Sequence, residues 1–248
     1  MNLLAVPAAA AAADPSSPYV ALPMPTGLAW AVSHLAGLPD ADSRGTRLRD
    51  LGGPPADGSL LARADMATVH AFQRLRSTEG DAWARQMNAD GPVTMWLRFA
   101  AAHRAEAGPA QGWLGTALLV AGLAGNAAVT AIGKQHWSRP RPFLVDTSIV
   151  PPFHGPSSSS YPSGHASSAY AAARIIAHLR PQLADAAYAL ARQVAASRVY
   201  AGVHFPSDVI AGAQLGTAIA VAALGATHQG AAEPELDLNA AYEAAGLA

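Results

Sequence analysis

From about residue 59 onward, the apolar positions recur with helical period. Met66, Val69, Phe72 and Leu75 follow one another at helical spacing, with Arg63, His70 and Arg74 between them, which predicts an amphipathic helix. Thr78 and Asp81 stand at capping-box spacing for a second helix over 79–89. Pro92 suits the first turn of a third, on which Trp96, Phe99 and His103 share a face. Later helices are expected over 163–179 and 182–198, separated by Pro181, and over 206–227. About a quarter of the residues are Ala, the best helix former, and runs of β-branched and aromatic residues with period two are scarce. The expected fold class is therefore all-α, a single-domain helical bundle.

Two stretches, 107–133 and 209–232, carry no charge and are long enough to span a bilayer. They consist mostly of Ala and Gly, with Gln111, Asn126, Gln214 and Thr217 inside, so buried core helices are the preferred reading and membrane association the disfavoured one. Residues 1–27, apolar and then Ala- and Pro-rich, read as the remnant of a secretory signal or a disordered low-complexity tail; the signal reading implies a periplasmic or secreted protein. The acidic stretch 229–248 reads as a solvated tail, which leaves 28–228 as the domain. At 248 residues the chain is long enough for one sizeable core. The oligomeric state is left open, a homo-oligomer included.

Charge narrows the chemistry. The net charge of -1 argues against nucleic acid as a partner, and the absence of Cys excludes disulfides, thiolate metal sites and iron–sulfur clusters. The charge is also segregated. Residues 130–208 hold seven cations and three acids, a net +4, against -5 for the rest of the chain, which suits a small anionic ligand. Arg174, Arg180 and Arg192 are read as solvated helix faces. Lys134, the single Lys against fifteen Arg, lies with Arg139, Arg141 and Arg198 beside unusual Pro, Gly, Ser and His residues.

Three short motifs stand there. In Lys134-Gln-His-Trp-Ser-Arg-Pro-Arg141-Pro142, Arg141 offers a planar fork for two phosphate oxygens and Lys134 a compact charge, while Pro140 and Pro142 stop the helix. In Tyr161-Pro162-Ser163-Gly164-His165, Ser163 is a natural N-cap, Gly164 permits close approach, and the helix start directs N–H groups at an anion. His165 stands in the same first turn, placed to pass a proton. In Ser197-Arg198 to Asp208, Pro206 opens the last helix and sets Asp208 about one turn from His204, where a carboxylate would fix the imidazole tautomer. A metal on His204 and Asp208 competes with this reading. It is disfavoured because Lys134, Arg141 and Arg198 would repel a cation.

Together the motifs K-x6-R-P, P-S-G-H and S-R-x5-H-x3-D resemble the signature of the phosphatidic acid phosphatase type 2 superfamily, which contains bacterial class A non-specific acid phosphatases and vanadium haloperoxidases. The resemblance implies that Lys134, Arg141, Arg198, Ser163 and the Gly164 amide hold phosphate oxygens. It implies that His204 attacks phosphorus to form a phosphohistidine, oriented by Asp208, and that His165 protonates the leaving group. The expected activity is acid phosphatase hydrolysis of small phosphate monoesters without metal or other cofactor. Among the alternatives, vanadate would be a cofactor in a haloperoxidase and an inhibitor in a phosphatase. A membrane-associated lipid phosphate phosphatase and a non-catalytic phosphate-binding module are the others. The remaining histidines are read as surface or core residues, with His136 and His154 flanking the motifs, and Ser157–Ser160 as a flexible loop at the mouth.

Overall fold

A computed structural model of the chain describes residues 37–228 together with Met24, Pro25, Leu28 and Leu35. Nearly all of the expected signal remnant 1–27, the acidic tail 229–248 and His34 lie outside the described residues. Among those described there is no strand, and the architecture is all-α. The helices are α1 (Leu60–Gln73), α2 (Thr78–Asp90), α3 (Thr94–Ala107), α4 (Pro109–Trp137), a single turn α5 (Pro142–Val145), α6 (Gly164–Leu179), α7 (Ala184–Tyr200) and α8 (Pro206–His228).

Local signals explain most boundaries. Ser59 caps α1 by accepting from Ala62 N, and Ser163 caps α6 by accepting from Ala166 N. The second helix starts differently from the expectation. Its cap is Ser77, which accepts from Gly80 N, so Thr78 is already helical. Pro92 falls in the turn before α3 rather than in its first turn, because Val93 is the residue preceding the helix. Leu75 lies just past the end of α1 and still packs on the core. Ser138, in the left-handed region at φ 45°, closes α4, and Pro140 prevents its resumption.

α6 is the central element, covered by α8, α7 and α4. Its buried positions are mostly Ala, which lets neighbouring backbones come close. On α8 the approach is tightest at Gly212 and Gly216. A Cβ on either would lie 2.3 Å from Ser163 O or 2.0 Å from Ser167 O, well inside contact distance. Only glycine permits this crossing, and it brings the N-termini of α6 and α8 together: Ser163 N donates to Asp208 O at 2.9 Å. The large side chains Trp83, Met87, Trp96, Phe99, Tyr170, Ile175, Val194 and Tyr200 fill the rest of the core.

The two uncharged stretches behave differently. More than half of the most apolar part of α8 is buried (56%), as expected for a core helix. On α4 only 33% is buried, which corrects the expectation of a core helix there. The physical reason is its narrow inner stripe. Gly112, Gly115, Leu119, Gly122, Leu123, Asn126, Thr130 and Gly133 contact the bundle, while Trp113 (64% exposed), Leu114 and Val120 point outward. Arg174, Arg180 and Arg192 are half-buried rather than on solvated faces, and Arg180 pairs with Glu106.

Candidate active site

Five helix ends converge on one centre: the C-termini of α2, α4 and α7 and the N-termini of α6 and α8. The three motifs meet there. Lys134 comes from the last turn of α4, Arg141 from the turn that follows it, and Ser163, Gly164 and His165 from the start of α6. Arg198 comes from the end of α7, His204 from the connecting turn, and Asp208 from the first turn of α8. Arg141, Ser163, Arg198, His204 and Asp208 are all buried, His204 to 3% exposure.

His204 is held from both sides. Its Nε2 lies 3.2 Å from an Arg141 guanidinium nitrogen, and its Nδ1 lies 3.4 Å from Asp208 Oδ2. Arginine only donates, so Nε2 is the accepting nitrogen and the ring hydrogen sits on Nδ1, toward the carboxylate. Asp208 has little spare capacity: Oδ2 also accepts from Phe205 N at 2.8 Å and from Ser160 Oγ, and Oδ1 pairs with Arg139 at 2.6 Å. Such a carboxylate is suited to orienting an imidazole rather than taking up its proton.

Lys134 and Arg141 are engaged with main-chain oxygens of the 157–160 segment. Lys134 Nζ donates to Ser159 O at 2.6 Å; Arg141 donates to Ser158 O at 2.8 Å, to Ser159 O at 3.2 Å and to Val203 O at 2.7 Å. Ser160 is buried, with its N–H on Arg139 O at 2.8 Å. This corrects the picture of Ser157–Ser160 as a flexible loop: Ser158, Ser159 and Ser160 are tied into the centre, although Ser157 and Ser158 are exposed. The Tyr161–Pro162 peptide that leads into Ser163 is cis. His136 and His154 are exposed, and His136 packs its ring on Trp137 at 4.8 Å.

Electrostatically, the centre favours neutral imidazoles until an anion arrives. Burial, then Arg198, Arg141 and Lys134, hold His165 down at about 3, against the opposing effect of the Asn88 carbonyl. Burial, then Arg141, Lys134, Arg198 and His165, hold His204 well below the usual histidine range. Among the described residues, no three His, Asp or Glu side chains are grouped so as to hold a metal ion.

Several supporting residues were missed. Asp65 of α1 is buried and bonds Arg139 at 2.9 Å, Ser207 N at 3.0 Å and Ser207 Oγ. Arg139 stacks its guanidinium 4.1 Å from the Phe205 ring centre while joining Asp65 to Asp208. A signal for Asp65 existed, since it shares an apolar stripe with Val69 and Phe72, where a charge needs a buried partner. Asn88, whose amide oxygen accepts from Arg198 at 2.8 Å, had no such signal.

Residues 113–229 match the sequence model of the PAP2 superfamily. Among solved structures, the chain is similar to the first transmembrane PAP2 type phosphatidylglycerolphosphate phosphatase from Bacillus subtilis. The superposition has a TM-score of 0.56 at 23% identity, covering 70% of this chain and 89% of that one, which establishes likeness of fold. Neither finding singles out the soluble class A acid phosphatases that the sequence led us to expect.

Proposed function

We propose that this chain, whose residues 113–229 match the PAP2 superfamily, is a metal-independent phosphatase acting on phosphate monoesters through a phosphohistidine. The observation that carries the reading is the unprotonated Nε2 of His204, presented beside the Arg141 guanidinium with Asp208 behind the ring. An incoming phosphoryl group displaces the Ser158 and Ser159 carbonyls from Arg141 and Lys134 and takes their place on those cations, on Arg198 and on the start of α6 at Ser163 and Gly164. His204 Nε2 attacks phosphorus in line, forming the N–P bond as the ester P–O bond breaks. With the phosphate anion bound beside it, His165 takes up a second ring proton, which it gives to the departing alkoxide as it returns to the neutral form. In the second half-reaction His165 takes a proton from water, whose oxygen attacks phosphorus and releases His204 and inorganic phosphate. Three cations and a helix N-terminus neutralise the developing charge, so the donor set needs no metal for that purpose. Hydrolysis of p-nitrophenyl phosphate in excess EDTA, wild type beside His204→Ala, tests this. Turnover is expected to persist under chelation and to vanish in the variant, whereas loss on chelation alone would reject it.

The exposed apolar face of α4 favours a second reading, a membrane-associated phosphatase of lipid phosphates. Co-sedimentation with phosphatidylcholine vesicles tests it, with Trp113→Glu and Leu114→Glu expected to abolish binding while leaving p-nitrophenyl phosphate turnover unchanged. A wild type that stays in the supernatant favours the soluble, exported enzyme that residues 1–27 suggest.

A further inference from the structure

On the reading that the centre binds a phosphoryl group, we propose that Asn88 is a positioning residue for two partners at once. Its amide oxygen orients the Arg198 fork and its main-chain carbonyl orients the His165 ring. Asn88 lies in the last turn of α2, where main-chain carbonyls lack a partner within the helix. One of them, Asn88 O, lies 3.1 Å from His165 Nε2. A carbonyl only accepts, so Nε2 carries the hydrogen of the neutral ring and Nδ1 is the nitrogen left to exchange a proton with substrate.

The side chain acts on Arg198. That guanidinium has five N–H groups. Nε donates to Ser197 Oγ at 3.1 Å, one terminal nitrogen to Asn88 Oδ1 at 2.8 Å, and the other to Ala84 O at 3.2 Å. One N–H on each terminal nitrogen is left, which is the pair a two-point grip on phosphate requires. Both anchoring oxygens come from α2, so this helix sets the plane of the fork. The neutrality of Asn88 matters as well: a carboxylate in its place would compete with phosphate for the Arg198 charge. The groups facing His165 are Arg198 at the end of α7, Lys134 at the end of α4, Arg141 beyond it, His204 before α8, and the Asn88 carbonyl. Asn88 is thus the side chain, beside the Ala84 carbonyl, through which α2, outside the matched region 113–229, enters the site.

Asn88→Ala deletes the amide oxygen and keeps the carbonyl; Asn88→Asp keeps the acceptor and adds a charge. Affinity for inorganic phosphate is measured by calorimetry, and the pH profile of p-nitrophenyl phosphate hydrolysis is recorded for each folded variant. Asn88→Ala is expected to bind phosphate about 10-fold more weakly, as loss of a charge-assisted hydrogen bond implies, with the change falling on KM rather than kcat. Asn88→Asp is expected to bind more weakly still and to move the pH profile upward by about one unit, because the carboxylate stabilises the His165 imidazolium. Unchanged affinity and an unchanged profile would overturn the proposal. A wild type that binds phosphate without turnover leaves the affinity ratios to decide for or against Asn88, while the phosphatase reading falls. A wild type that does neither removes both.

Discussion

Residues 134–208 carry the side chains that converge on the centre, whereas α1 and α2 contribute Asp65 and Asn88 behind them. The first region is dense in cations and helix ends. The second is an amphipathic pair that packs on α7 and α8 and reaches the centre through two polar side chains. The difference separates chemistry from alignment. The groups that meet at the centre sit at helix ends and in the Pro- and Gly-bearing turns between them, whereas Asp65 lies mid-helix and Asn88 in the last turn of α2, each behind the Arg it holds.

The comparison breaks most sharply at His204. His204→Ala is expected to lower kcat by at least about 10³-fold, the scale seen when a nucleophile is removed, with phosphate binding retained. Stopped-flow or long-incubation assays with p-nitrophenyl phosphate measure it. Lys134→Arg should lower kcat/KM by about 10-fold, since the longer planar fork does not fit where Nζ meets Ser159 O. Unchanged kinetics would make the solitary Lys irrelevant.

For the supporting region the signature is stability. Asp65→Asn leaves Arg139 with Asp208 but removes a buried charge pair, an expected loss of about 3 kcal/mol, or roughly 10 °C in Tm. The surviving activity at 20 °C should remain within about 10-fold of wild type. Equal melting temperatures would show that Asp65 and Arg139 carry no structural burden.

A finer distinction comes from pH. His165 and His204 titrate lower in the folded chain than unfolded, so the unfolded state binds more protons below the ordinary histidine pKa of about 6.5. Stability is therefore expected to fall as pH drops from about 6.5 toward 3. Phosphate, by supplying negative charge beside both rings, should offset the loss. Scanning fluorimetry from pH 7 to pH 4, with and without 10 mM phosphate (roughly saturating for a millimolar site), reads both effects. The smallest effect is competitive inhibition by orthovanadate, expected because it presents the same tetrahedral oxygens to the same fork.

Much of this was legible in the sequence because its causes are local. Helical period, Ser caps and Pro stops are properties of neighbouring residues, and they gave α1, α6, α7 and α8 to within a few positions. The motifs named the residues that meet at the centre. What the sequence withheld depends on the third dimension. α4 is as apolar as α8, yet its Gly stripe contacts the bundle on one side only, and no composition argument separates the two. Ser160 was lost inside a run of four serines, because only the fold shows which of them bonds Asp208. Asn88 is an ordinary polar residue near a helix end until Arg198 and His165 are placed beside it.

The glycine crossing of α6 and α8 has one more consequence. Gly212 and Gly216 lie four residues apart, as do Ser163 and Ser167 whose carbonyls they meet, so the two helices mesh like teeth of equal pitch. Such a joint cannot creep; it can only jump by a whole turn, about 5.4 Å. The separation between His165 on one helix start and His204 at the other is therefore indexed rather than adjustable, and the pair behaves as a fixed gauge whatever the surrounding helices do.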